Sequence, residues 1–207
     1  MKHIDRARNI YGGVPKRILD IIFSVSGLLL FSLPMLLCAA AIVVEDGCPV
    51  IFRQTRIGAD LKPFVCYKFR TMRCDAPHDR ATADLHDAHK YITRVGAFLR
   101  RTSLDELPQL FNVLRGDMSL IGPRPVIPQE RELIALRNSL GVYCIRPGLT
   151  GLAQVRGRDS VSVRRKAAYD AQYVERMSFV YDATLMAKTL FSVICCRGVQ
   201  EGGNGGR

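Results

Sequence analysis

Charge is missing from one stretch of this chain, and metal-binding spacing is missing from all of it. Between Asp20 and Glu45 no charged residue occurs. The seven cysteines (Cys38, Cys48, Cys66, Cys74, Cys144, Cys195 and Cys196) form no CxxC pairs of the kind that hold zinc, and their odd number argues against a closed disulfide framework. They read as reduced thiols in a cytoplasmic setting. Nothing resembles a zinc finger or an RNA-binding aromatic motif, so nucleic acid is not an expected partner even at a net charge of +11. Anionic lipid and phosphorylated substrates remain as reasons for that charge. No internal repeat occurs, and 207 residues are enough for one globular domain with a sizeable core.

The uncharged stretch is itself the first positive feature. Ile21 to Val44 is 24 residues, roughly 36 Å as one helix and long enough to cross a bilayer. Length alone reads it as a spanning signal anchor. Its flanks say otherwise: Lys2, Arg6, Arg8, Lys16 and Arg17 precede it, and Arg53, Arg56, Lys62, Lys68, Arg70 and Arg73 follow it. Basic residues mark the cytoplasmic side, so both ends read as inside. Ser32-Leu33-Pro34 lies in the middle. An interior proline removes a backbone hydrogen bond and clashes with the preceding turn, while a serine hydroxyl can satisfy a carbonyl freed at membrane depth. No small-x-small cleavage site stands out downstream, Cys38-Ala39-Ala40-Ala41 being nearest in composition. The expected organisation is a basic segment over 1–17, a re-entrant membrane helix over 18–44 broken at Ser32 and Pro34, a cytoplasmic catalytic domain over 45–197 and a disordered glycine-rich tail over 198–207.

Beyond the membrane segment, Val50-Ile51-Phe52 and Phe64 to Phe69 flank a turn containing Gly58 and predict a β-hairpin. Asp75 to His89 reads as polar loop. Ile92, Val95, Phe98 and Leu99, then Leu107, Leu110, Phe111 and Leu114, recur at helical intervals. Core packing and an interfacial helix on anionic lipid both produce such stripes. Ile121 to Pro125 is extended, because each proline pushes its predecessor out of the α region, and Arg124 is thereby presented on stiff backbone. Arg146 to Gly151 reads as a turn cluster, Leu152 to Val155 as a strand, and Val163 to Cys196 as two helices broken near Met177-Ser178. The fold class is α+β, mainly helical.

The candidate site is Arg100-Arg101-Thr102-Ser103-Leu104-Asp105-Glu106-Leu107-Pro108. Ser103-x-x-Glu106 has the form of a capping box, and acids in a first helical turn complement the helix dipole. Pro108 would then fall inside the new helix, where it is disruptive. The chemical alternative is that adjacent carboxylates divide tasks, one attacking phosphorus or binding a hard cation while the other handles a proton or completes the metal shell. Phosphoryl transfer also needs cations on the non-bridging oxygens. Arg100, Arg124, Lys68 and Arg70 are the candidates.

Phe52-Arg53-Gln54-x-Arg56-x-Gly58, Tyr67 to Met72, Arg100-x-Thr102 through Asn112 to Leu114, Gly116 through Pro123-Arg124-Pro125, and Pro147-Gly148-x-Thr150-Gly151 together resemble the bacterial sugar transferase family. More narrowly, they resemble its small monotopic phosphoglycosyl transferases. The resemblance runs from about Lys16 to about Ile194. It implies transfer of a sugar 1-phosphate from a UDP-sugar to a polyprenyl phosphate such as undecaprenyl phosphate, with Mg2+ required. It implies Asp105 as nucleophile, Glu106 as its partner, both as metal ligands, and Arg100 and Arg124 as phosphate ligands. It further implies a monotopic location on the cytoplasmic face of the bacterial inner membrane and interfacial amphipathic helices. Homo-oligomerisation is left open.

The break Ser32-Leu33-Pro34 departs from the adjacent Ser-Pro commoner in that family, and Arg158-Asp159 and Val163 stand where Arg-Asn and tryptophan are usual, whereas Lys166, Asp170 and Tyr173 keep the spacing. The first implies a bend shifted by one residue, and the other two bear on sugar identity and not on the reaction. Larger relatives carry an N-terminal membrane bundle, which makes the minimal catalytic form the expectation here. The rival readings are a non-catalytic basic membrane adaptor and a lipid phosphatase.

Overall fold

The computed structural model describes residues 11–76, 90–157 and 161–194. The first ten residues, most of the Asp75 to His89 loop including His89, Arg158-Asp159, Cys195, Cys196 and the glycine-rich tail lie outside the described residues.

The apolar run forms two helices, α1 (Val14–Leu30) and α2 (Ser32–Asp46), bent by 60°. Neither is long and apolar enough to cross a membrane alone. The break falls at Phe31, one residue before Ser32. Pro34 thus sits in the first turn of α2, where the missing N–H costs least. The Ser32 hydroxyl donates to the Leu29 carbonyl at 2.9 Å.

Helix α1 is inverted relative to a helix of a water-soluble core. Its buried residues are Lys16, Asp20 and Ser24, one stripe at spacing four. Ile18, Ile22, Phe23 and Leu29 face outward, as do Leu33, Leu36 and Leu37 on α2. An outward apolar surface of this extent with polar groups turned inward is larger than a protein surface in water usually exposes. Lys16 and Asp20 of this stripe find partners in the rest of the chain, whereas the Ser24 hydroxyl has none among the described residues. Lys16 pairs with Asp182, which also accepts from the hydroxyls of Tyr11 at 3.0 Å and Tyr173 at 2.7 Å. Asp20 accepts from the Ser119 hydroxyl and the Leu120 amide, both at 3.0 Å.

After α2 the expected hairpin forms: β1 (Ile51–Ile57) pairs antiparallel with β2 (Pro63–Phe69), with Gln54 opposite Cys66. Two short helices follow, α3 (Arg94–Thr102) and α4 (Gln109–Arg115), then β3 (Ser119–Ile121), α5 (Arg131–Ser139), β4 (Gly148–Thr150), α6 (Leu152–Gly157), α7 (Val163–Arg176) and α8 (Phe179–Ile194). The fold is mainly helical, and the helix break predicted near Met177-Ser178 separates α7 from α8. The main core gathers Val113, Met118, Leu120, Tyr173 and Leu185, with Leu28 of α1 packed on it.

Two expectations fail in one place. Gly148 to Thr150 is a strand parallel to β3, and Leu152 to Val155 opens a helix. A Cβ on Gly148 would lie 2.0 Å from the Gly122 nitrogen. The glycine therefore serves close backbone approach, and what resembled turn chemistry is a site of tight strand pairing. Leu152 and Ala153 turn inward from the helix that begins there.

Candidate active site

The two acids do not open a helix. Helix α3 ends at Thr102, and Ser103 takes the left-handed conformation (φ 59°) with its amide bonded to the Arg100 carbonyl at 3.2 Å. A positive φ on a residue with a Cβ is uncommon and tends to occur where a site constrains the chain. A single 3-10 turn, Leu104–Glu106, follows, and α4 begins after Pro108. Ser103 makes no side-chain cap on that turn, so the capping-box reading fails. Pro108 precedes the new helix instead of interrupting it, which removes the conflict seen in the sequence.

The turn is fixed from two sides. Both oxygens of Glu45, at the end of α2, accept the first amides of α3, Arg94 at 2.8 Å and Val95 at 2.9 Å. The position of the turn is thereby tied to the end of the apolar helix pair. On the other side Asn112 of α4, fully buried, accepts from the Tyr67 amide at 3.0 Å and donates to the Val65 carbonyl at 2.7 Å. This holds α4 against strand β2, which carries Lys68. Asn112 lies within the motif that carries the family resemblance, and its one signal in the sequence is a polar residue inside an apolar helical stripe.

One oxygen of Glu106, Oε1, accepts from both Lys68 at 2.8 Å and Arg124 at 2.7 Å. Burial alone raises the Glu106 pKa, but Arg124 and Lys68 outweigh it and hold the carboxyl well below the usual range. Glu106 is an anion at every physiological pH. Asp105 is 9% exposed, and among the described residues none donates a hydrogen bond to it. Burial pushes its pKa up, the charge of Glu106 adds to that, and Lys68, Arg124 and Arg100 oppose it. Neighbouring carboxylates whose surroundings drive them in opposite directions are the pattern of divided catalytic labour.

The predicted cations divide. Lys68 and Arg124 join Glu106 directly. Arg100 is close enough to feel the charge of Asp105, and its Nε donates to the Thr71 hydroxyl at 2.8 Å. Arg70 is not brought to this cluster. Its guanidinium donates to the Asp46 and Gly47 carbonyls at 3.0 and 2.6 Å, touches the Cys74 sulfur and pairs with Asp46 at 3.3 Å. Strand β2 ends at Phe69, so the alternation that would align Arg70 with Lys68 stops one residue early. Arg56 takes the place that the sequence gave no reason to assign: half-buried, it donates to the Pro125 carbonyl at 3.1 Å, and desolvation followed by the neighbouring charge of Arg124 lowers its pKa.

Asp105 and Glu106 offer hard oxygen donors, and among the described residues no group of three His, Cys, Asp or Glu side chains gathers. Such a donor set suits a cation that takes one or two carboxylates from protein and the rest from phosphate and water, as Mg2+ does, and not an all-protein metal cage.

Residues 11–196 match the family model described as "Bacterial sugar transferase". The chain is 42% identical over 204 residues to "Exopolysaccharide production protein ExoY" of Rhizobium meliloti (strain 1021), covering 90% of this chain and 88% of that one. It is 43% identical over 188 residues to the "UDP-glucose:undecaprenyl-phosphate glucose-1-phosphate transferase" of Caulobacter vibrioides, covering 86% and 69%. It is 39% identical over 189 residues to the "Undecaprenyl-phosphate galactose phosphotransferase" of Salmonella typhimurium, covering 84% of this chain and 39% of that relative. On the extent of these matches, the protein that carries this buried aspartate beside its cation-bound glutamate belongs to the bacterial sugar transferase family.

Proposed function

We propose that this enzyme transfers a sugar 1-phosphate from a UDP-sugar to a polyprenyl phosphate, such as undecaprenyl phosphate, through a covalent intermediate on Asp105. The observation that carries the reading is the pairing of a buried Asp105, free of hydrogen bonds among the described residues, with a Glu106 that gathers Lys68 and Arg124 at one oxygen. Ionised Asp105 attacks the phosphorus that bears the sugar. The bond to the bridging diphosphate oxygen breaks, and UMP leaves. An oxygen of the polyprenyl phosphate then attacks the same phosphorus, expels the Asp105 carboxylate and yields the polyprenyl-diphospho-sugar.

Lys68, Arg124, Arg100 and Arg56 supply positive charge for the non-bridging oxygens, which is where most of the acceleration in such reactions arises. Glu106 keeps Lys68 and Arg124 at one point and leaves its second oxygen for a metal. Asp105 and Glu106 would hold Mg2+, which when bound would neutralise charge on the donor diphosphate.

The apolar helix pair fits a re-entrant anchor in the cytoplasmic leaflet, with both ends on the cytoplasmic side. The inward stripe Lys16, Asp20 and Ser24 supports this, since a helix facing lipid turns its polar groups to protein. The Glu45 tie to α3 would then keep Asp105 near the headgroup plane, where the acceptor phosphate lies.

Purified protein given a panel of UDP-sugars and a polyprenyl phosphate should release UMP and form a glycolipid with one or a few of the sugars. Binding of anionic vesicles without UMP release would favour the adaptor reading. Loss of phosphate from the acceptor without glycolipid would favour the phosphatase. For topology, a cysteine placed at Asn9, outside the described residues, in a protein without its native thiols should resist an impermeant reagent until cells are opened. Labelling from outside would refute the re-entrant anchor and leave the chemistry standing.

A further inference from the structure

Arg124 stands on backbone held at every carbonyl. The oxygens of residues 123 to 126 are each taken by a donor from elsewhere: Pro123 by the Gly148 amide at 2.8 Å, Arg124 by Arg137 Nη1 at 2.8 Å, Pro125 by Arg56 Nη1 at 3.1 Å, and Val126 by the Ile57 amide at 2.9 Å. Two of the four donors belong to strands, which the fold requires in any case. The other two are arginine side chains, and of these Arg137 is the more deeply committed. It is 3% exposed and sits on α5. Its Nε and Nη2 grip Asp170 Oδ2 at 2.8 and 2.6 Å, and Asp170, on α7, is 1% exposed.

An ion pair this buried is a weak source of stability, because removing both ions from water offsets much of their attraction; an apolar pair of similar volume would serve packing as well. What an apolar pair lacks is a rigid donor aimed at the carbonyl of Arg124. The planar fork of arginine can face Asp170 with one edge and that carbonyl with another, which lysine cannot do. Pro123 and Pro125 stiffen the backbone on either side, so fixing this carbonyl fixes where the Arg124 side chain departs toward Glu106.

We propose that Arg137, clamped by Asp170, is a positioning residue that sets the Arg124 guanidinium on Glu106 and on the substrate phosphate. This rests on the reading of Arg124 given above, and it makes the α5–α7 pair part of the catalytic apparatus through one backbone oxygen.

The test is a double-mutant cycle on UMP release with the full chain in detergent or nanodiscs. Arg137→Lys keeps the charge opposite Asp170 and loses the second edge of the fork. It should retain the thermal midpoint and lose about tenfold or more in kcat/KM, as expected for loosening a charge-assisted phosphate contact. In an Arg124→Gln background the same substitution should change kcat/KM less than twofold. An equal loss in both backgrounds, or wild-type kinetics in the single variant, would overturn the proposal. Should Arg137→Lys fail to accumulate folded, Arg137→Met with Asp170→Leu poses the same question without a buried charge, and the same two outcomes decide it. If Arg124→Gln alone leaves UMP release unchanged, the reading of Arg124 is what has failed, and the cycle shows which of the two is at fault.

Discussion

Two charge clusters in this molecule are built from similar parts and differ in what they leave over. Around Asp182, one carboxylate meets Lys16 and the hydroxyls of Tyr11 and Tyr173, all within the protein. Lys16 and Asp182 are 7% and 6% exposed. Around Glu106, one oxygen meets Lys68 and Arg124, whose side chains are 20% and 44% exposed, and Arg100 and Arg56 add positive charge nearby. In the first cluster a single cation is matched by its acid, and the hydroxyls close the shell. In the second, Lys68 and Arg124 share one carboxylate oxygen, and Asp105 has no hydrogen-bond donor among the described residues. A satisfied cluster joins helices α1 and α8, whereas one with partly exposed cations beside an unclaimed carboxylate suits the diphosphate of the proposed donor.

The sharpest way to break this comparison is to neutralise one acid in each cluster. Asp105→Asn should abolish UMP release, a loss beyond a thousandfold on the scale of removing a nucleophile, while the fold is kept. The raised pKa of Asp105 means that the folded state holds the proton more tightly than the unfolded chain does, so stability is lost as pH rises through that pKa. At neutral pH an uncharged amide removes that cost, and the thermal midpoint should stay level or rise. Asp182→Asn should do the reverse. It leaves Lys16 buried without its anion, at a cost of about 3–5 kcal/mol, measurable as a large drop in the thermal midpoint, with activity per folded molecule preserved. A fully active Asp105→Asn protein, or an undiminished midpoint in Asp182→Asn, would erase the distinction.

Smaller effects follow at the open cluster. Arg124→Ala and Arg100→Ala should each lower kcat/KM by about 1.5–3 kcal/mol of transition-state stabilisation, read from UMP release under saturating acceptor. The acid limb of the pH profile should report ionisation of Asp105, at a pH above that of an ordinary aspartate. Arg124 lowers the Asp105 pKa and Glu106 raises it. Residual activity in Arg124→Gln should therefore appear only at higher pH than in the wild type, and in Glu106→Gln the limb should move lower. Shifts of the same sign in both variants would show that the limb belongs to another group.

Much of this arrangement was legible beforehand where one residue type has one physical meaning. Pro34 in an apolar run marked the bend, which the structure places at Phe31, and alternation around Gly58 marked the hairpin. Asp105 and Glu106 stood out because Pro108 made a simple helix start implausible. Legibility failed where a residue type has two meanings. Gly148 signals either a turn or a close approach, and only the proximity of Gly122 decides. Arg70 shares a motif with Lys68, but the end of β2 sends it to Asp46 and Gly47. Arg137 gave no signal, because its partner Asp170 lies on another helix and its target is a backbone oxygen. Long-range polar contacts of this kind leave no periodicity to read.

The central claim is that Asp105 becomes covalently bonded to the phosphosugar before the acceptor takes part. The most direct measurement is to mix the enzyme with its UDP-sugar and Mg2+ in the absence of polyprenyl phosphate, quench, and analyse both nucleotide and protein. The account predicts a burst of UMP approaching one equivalent per enzyme and a mass increase of one sugar phosphate on the peptide carrying Asp105, both absent in Asp105→Asn. Release of UMP only when acceptor is present, with the peptide mass unchanged, would contradict it and point to direct transfer between the two substrates.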